Sequence, residues 1–215
     1  MSKLAAAYPD AHCELNFSSP FELLIATILS AQCTDKQVNK VTESLFHKYP
    51  TVSDYTRVRI EELEDDIRRI GLFRSKARNI QGCCRKLLED HGGLVPSRMT
   101  ELMTLGGVGR KTANVVLGTG FGISEGIVVD THVARLAIRI GVGLRQGANV
   151  RQIEGALMEL VPKESWTIFS HWLIWHGRKR CSARSPRCSG CDISSMCQQV
   201  GLTHQRVGDS INGSK

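Results

Sequence analysis

Apolar side chains recur at three- and four-residue intervals along most of the chain, and no sustained alternation of apolar and polar positions interrupts them. The pattern predicts an all-α protein. Ser19-Pro20-Phe21-Glu22 reads as a capping box with Pro at the first helical position. Leu23, Leu24, Ile25, Ala26, Ile28 and Leu29 follow it with so little polar interruption that this helix is expected to be central and buried. Val38, Val41 and Leu45 line one face of a segment that Pro50 ends, and Leu63, Ile67 and Ile70 line another before Gly71. Ser75 is the expected cap of a helix with Ala77, Ile80, Cys84, Leu87 and Leu88 inward, closing at Gly92-Gly93. Short helices should flank the glycine-rich run at 106–109. Beyond it, Asp130 stands at an N-cap position before Val133, Leu136, Ala137 and Ile140, with Gly141 as the stop. Two more helices are expected, from Asn149 towards Pro162 and from Trp166 to Gly177. The polar, glycine-containing tail 203–215 is expected to be disordered.

The bulk properties narrow the class. In 215 residues, 41% hydrophobic and 23% charged is ordinary for a globular protein. No apolar run approaches the roughly 20 residues needed to span a bilayer, and the N-terminus lacks the apolar core of a secretory signal. The chain is therefore expected to be intracellular, in the cytoplasm and at the nucleoid if its source is bacterial, with no membrane partner. The formal charge of +7 favours a polyanion, because each phosphate neutralised by Lys or Arg releases counterions. Of eight cysteines, Cys13, Cys33, Cys83 and Cys84 are dispersed and read as buried thiols, whereas four crowd together near the C-terminus.

Three constellations carry chemistry. Leu105-Gly106-Gly107-Val108-Gly109-Arg110 is a turn whose glycines permit left-handed backbone and close approach. It can present N–H groups to a phosphate at a helix N-terminus, or serve simply as a loose helix–helix connection. Its spacing is not that of a Walker loop. Next, Lys111 follows this turn. A lysine amine attacks carbon only when neutral, so a nucleophilic Lys needs surroundings that lower its pKa; the plainer role is a phosphate contact beside Arg110. Asp130 can cap its helix and at the same time direct a carboxylate into a cleft. Finally, Cys181-x6-Cys188-x2-Cys191-x5-Cys197 offers four thiolates in one basic loop, a donor set that suits either zinc or a cubane cluster. Disulfides are the alternative. Arg184 and Arg187 lie in the first cysteine loop, where they can meet phosphates or simply be solvated.

At these residues the sequence resembles the endonuclease III family. Leu105–Lys111 is similar to that family's helix-hairpin-helix and its following Lys, Val129-Asp-Thr-His132 to its Asp motif, and the cysteine spacing to its [4Fe–4S] loop. The resemblance extends over Glu14–Ala26, Ser30-Ala-Gln-Cys-Thr-Asp35, Ile70–Ala77 and His171–Arg178. Two departures stand out: Gly106 occupies the place of the family's usual Pro, and the connection Ile123-Ser-Glu-Gly126 looks about one residue long.

The resemblance implies two helical domains flanking a DNA cleft: a six-helix barrel, residues 13–124, ending in the hairpin, and a cluster domain made from 1–12 with 125–202. It implies a monomeric base-excision enzyme that binds duplex DNA holding an oxidised pyrimidine or an abasic site. Lys111 would attack C1′ and Asp130 would assist; Gln32 and Leu72 would fill the gap left by the flipped nucleotide. Gly107, Val108, Gly109 and Arg110 of the hairpin, with Arg184 and Arg187, would meet the DNA, and Cys181, Cys188, Cys191 and Cys197 would hold a [4Fe–4S] cluster. A monofunctional glycosylase of the same superfamily lacks Lys at this position. The remaining alternative is a non-catalytic DNA-binding protein with a structural metal site.

Overall fold

The computed structural model describes residues 1–202. Among them every regular element is helical, in accord with the period-3.6 reading; the tail expected to be disordered lies outside the described residues. The elements are α1 (Ser2–Ala7), α2 (Pro20–Ser30), α3 (Asp35–Lys48), α4 (Val52–Arg57), α5 (Ile60–Asp66), α6 (Phe73–His91), α7 (Met99–Leu102), α8 (Arg110–Val115), α9 (Thr131–Ile140), α10 (Val150–Leu160) and α11 (Trp166–Lys179). A π-helical turn, Val116–Gly120, continues α8.

Two separate hydrophobic cores organise these helices. The first is built on α2, whose residues from Leu23 to Leu29 are all buried, and takes in the inward faces of α3 to α8. The second joins Leu4, Tyr8 and Ala11 of the N-terminal segment to α9, α10 and α11. Tyr8 Oη lies 2.9 Å from His176 Nδ1, a buried polar contact that fastens the start of the chain to α11. Several helix ends follow the caps read from the sequence. The Asp130 carboxylate accepts from Val133 N at 2.8 Å, Gly92 and Gly141 end α6 and α9 in left-handed geometry, and Asn149 and Gln152 form a reciprocal capping box.

Other expectations need correction. The Ser19 hydroxyl caps Glu22 N, but the Glu22 carboxylate turns to the backbone N–H and hydroxyl of Ser18, so only half of the capping box forms. Ser75 does not cap α6; the helix begins at Phe73 behind Leu72, three residues earlier than the polar signal suggested. Within α6 Cys83 is fully buried beside Cys84, which is inward as expected, whereas Leu88 is 38% exposed. The stretch Leu63–Ile70 is helical only to Asp66, and α4, which precedes it, carries too few apolar positions to announce itself. Gly177 does not stop α11, which runs to Lys179. A Cβ there would lie 2.8 Å from His132 Nδ1, so the glycine lets α11 pack closely against α9. Cys13 and Cys33 are only half-buried, unlike Cys83 and Cys84, whose burial raises their thiols, Cys83 to about 12.

One buried carboxylate joins the two cores. Glu154 of α10 accepts from Arg110 Nε at 2.8 and 3.0 Å and from Asn114 Nδ2 at 3.0 Å, both on α8. Arg110 keeps part of its side chain in water, whereas Glu154 and Asn114 do not. Glu154→Ala strips a buried amide of its acceptor and leaves a void. It is expected to lower stability by about 2 kcal/mol in urea unfolding, and an unchanged midpoint would show the contact to be dispensable.

Candidate active site

A pocket of about 110 Å³ opens where the two cores meet. Lys111 and Asp130 both line it, although nineteen positions separate them in the chain. Each is delivered by a helix start. Lys111 is the second residue of α8, whose N-cap, Gly109, offers no side-chain cap, so first-turn N–H groups are left for an outside acceptor. Asp130 is the N-cap of α9; one carboxylate oxygen is tied to Val133 N, and this bond orients the group towards the pocket. The longer Ile123–Gly126 connection does not keep the two apart. His132, two residues on, points elsewhere: its Nδ1 lies 3.1 Å from Arg135 Nη2, and burial lowers its pKa.

The hairpin is tightly seated. Gly107 has φ of 75°, and a Cβ on Gly106 would fall 2.9 Å from the Asn79 carbonyl oxygen of α6. The turn is held by close backbone approach to α6, and a side chain at 106 would require the backbone at Asn79 and Cys83 to shift. Val108 is buried in the first core, so only its backbone can serve DNA. Arg110 Nε is committed to Glu154.

Gln32 and Leu72 are exposed, Leu72 by 60%, and both take left-handed backbone, φ 55° and 60°. Their loops are neighbours: a Cβ on Gly71 would lie 3.8 Å from the Gln32 carbonyl oxygen. Two non-glycine residues in this conformation, side by side and projecting outward, are a local strain of the kind found at functional tips. Arg184 is exposed; Arg187 donates to the Lys179 carbonyl oxygen, an intramolecular use that its position in a basic loop did not indicate.

The structure adds pocket residues that sequence reasoning left without a role: His12, Cys13, Glu14, Asp35, His171 and Arg178. Arg178 pairs with Glu14 and, at 2.7 Å, with Asp35, drawing the N-terminal segment, α3 and α11 around one side of the pocket. Burial, with His12 and Arg178 nearby, pushes His171 down to about 4, so its imidazole is neutral near pH 7. Most of these residues lie in the segments that resemble the family, but no spacing rule links positions 14, 35, 171 and 178. Only folding brings them together.

The four C-terminal cysteines line a second pocket with Leu136, Ile140 and Ile193. No disulfide joins any of the eight cysteines. Among the described residues no three His, Cys, Asp or Glu are close enough around one point to hold a single metal ion. Arg139 Nη1 donates to Cys181 Sγ at 3.3 Å, and the same guanidinium reaches the carbonyl oxygens of Ser182 and Ala183. Four thiol donors with apolar walls and a cation at one sulfur suit a bulky anionic thiolate-bound group better than one small ion.

Fold and site together define a helical DNA-repair protein, and the similarities to known proteins agree. Residues 25–163 match the HhH-GPD superfamily of base excision DNA repair proteins. Endonuclease III of Bacillus subtilis (strain 168) is 49% identical over 199 residues, 93% of this chain and 90% of that protein; endonuclease III of Escherichia coli (strain K12) is 48% identical over 198 residues, 92% of each. A solved structure of a trapped covalent endonuclease III–DNA intermediate superposes with a TM-score of 0.88 at 52% identity, covering 92% of both chains. A thermostable thymine-DNA glycosylase gives 0.82 at 27% identity. The chain belongs to the endonuclease III family. It is a base-excision repair enzyme acting on duplex DNA, a glycosylase that is also an abasic-site lyase, and the monofunctional and binding-only alternatives fall away. No described helix is long and apolar enough to cross a membrane.

Proposed function

We propose that the enzyme, as a monomer, removes oxidised pyrimidines, with Lys111 as nucleophile and Asp130 as its partner. The observation that carries this reading is the convergence of both side chains on one pocket at the junction of two separately packed cores. The division into a barrel unit, 13–124, and a cluster unit, 1–12 with 125–202, follows those cores. Lys111 Nζ bonds to C1′ as the bond from C1′ to the base breaks, and the base leaves with the electron pair and takes up a proton. Asp130 stabilises the positive charge developing on the sugar and accepts a proton from the amine. Ring opening yields a Schiff base. Loss of a C2′ proton then expels the 3′ phosphate, and hydrolysis frees Lys111.

Gln32 and Leu72 would occupy the gap in the duplex, and the backbone at Gly107, Val108 and Gly109, with the remaining donors of Arg110 and the Arg184–Arg187 loop, would meet phosphates. Cys181, Cys188, Cys191 and Cys197 would hold a [4Fe–4S] cluster. Its contribution is structural: it would close the basic loop and brace α9 against the end of α11.

The test is release of free base from duplexes that differ at one position. Thymine glycol should be excised and strand cleavage should accompany it, while an 8-oxoguanine duplex of the same sequence remains intact. Preference for the purine lesion would overturn the substrate assignment.

A further inference from the structure

Lys76 lies one turn into α6 and is 97% removed from solvent, its relative exposure being 3%. Its Nζ donates to the carbonyl oxygens of Leu29, in the last turn of α2, at 2.9 Å and of Ala31, the residue that follows the helix, at 2.6 Å. No carboxylate pairs with it among the described residues. A buried ammonium is rarely kept without a counter-charge; here the negative end of a helix and two otherwise unpartnered carbonyls take that role. Burial lowers its pKa, a measure of the expense of keeping it there.

The location gives the arrangement a purpose. Ala31 immediately precedes Gln32, and the backbone N–H of Lys76 donates to Leu72 O at 3.1 Å. One residue thus closes both turns, through its side chain for the Gln32 loop and its main chain for the Leu72 loop. Both tips are left-handed and non-glycine, conformations that persist only where the surroundings impose them.

We propose that Lys76 is a positioning residue that holds the Gln32 and Leu72 loops at a fixed separation, so that both side chains enter the duplex together. The proposal rests on the reading that Gln32 and Leu72 fill the gap opposite the lesion. It assigns the buried cation to base extrusion and not to sugar chemistry, since no atom of Lys76 lines the Lys111 pocket.

The experiment uses full-length protein and a duplex with a tetrahydrofuran abasic analogue opposite 2-aminopurine, whose fluorescence rises when inserted side chains unstack it. Lys76→Met, nearly isosteric and uncharged, should lower the duplex affinity of the emitting complex about tenfold or more. Lys76→Met added to Gln32→Ala/Leu72→Ala should bring no further loss, because Lys76 acts through those two residues. A full fluorescence response with Lys76→Met, or an additive loss in the combined variant, overturns the proposal. If Gln32→Ala/Leu72→Ala itself leaves the response unchanged, the gap-filling reading fails, and the proposal with it. Should Lys76→Met not fold, Lys76→Gln, which can reach one of the two carbonyls, is read in the same assay against the same outcomes.

Discussion

Lys111→Ala is expected to abolish the covalent adduct that borohydride traps on duplex DNA with an abasic site, and to slow strand cleavage by a thousandfold or more, on the order of what removing a nucleophile elsewhere entails. The fold should be indifferent. Lys111 is exposed at the start of α8, and neither core includes it. Duplex affinity should fall only a little, as one lost phosphate-range charge among 28 Lys and Arg would imply. The contrast is the informative part: an unchanged melting temperature and near-normal binding beside a missing adduct locate the loss in bond formation. A variant that still traps DNA would transfer the nucleophile to another amine, and the reading of the pocket would have to be rebuilt.

Asp130→Asn separates two duties that the wild-type carboxylate performs at once. The amide oxygen of Asn can still accept from Val133 N, so the cap on α9 survives and stability should remain within about 0.5 kcal/mol. The charge does not survive. Single-turnover base release should fall by about 10² to 10⁴, the range for losing a general base or an electrostatic partner of a developing cation. Asp130→Ala should add a loss of about 1 kcal/mol in unfolding without a proportionate further loss in rate. If Asn matches wild type in rate, Asp130 is only a helix cap, and the positive charge on the sugar must be met elsewhere.

The two loops at Gln32 and Leu72 show how far local rules reach. Their identities came from resemblance, and nothing in the residues themselves announces left-handed backbone: glutamine and leucine are ordinary helix formers. Ser75 was expected to cap α6, whereas the helix begins at Phe73, because the buried contacts of Lys76 outweigh a capping preference of about 1 kcal/mol. Nothing in the residues beside Lys76 distinguishes it from a surface cation. Its burial follows from where the C-terminus of α2 happens to lie, which no pattern along the chain encodes.

What the sequence determined by itself is local or repetitive: the helical period, the buried run of α2, the caps at Asp130, Asn149 and Gly141, the glycine turn, and the tight spacing of the four C-terminal cysteines. Each depends on residues close together in the chain, where backbone geometry and side-chain type suffice. The tertiary structure alone decided which distant groups meet. It put Lys111 and Asp130 on one pocket, wrapped Arg178 with Glu14 and Asp35 beside them, buried Glu154 between the two cores and fastened Lys76 under the paired tips. The physical reason is that these contacts join positions 19 to 164 residues apart, and their geometry is set by how whole helices pack.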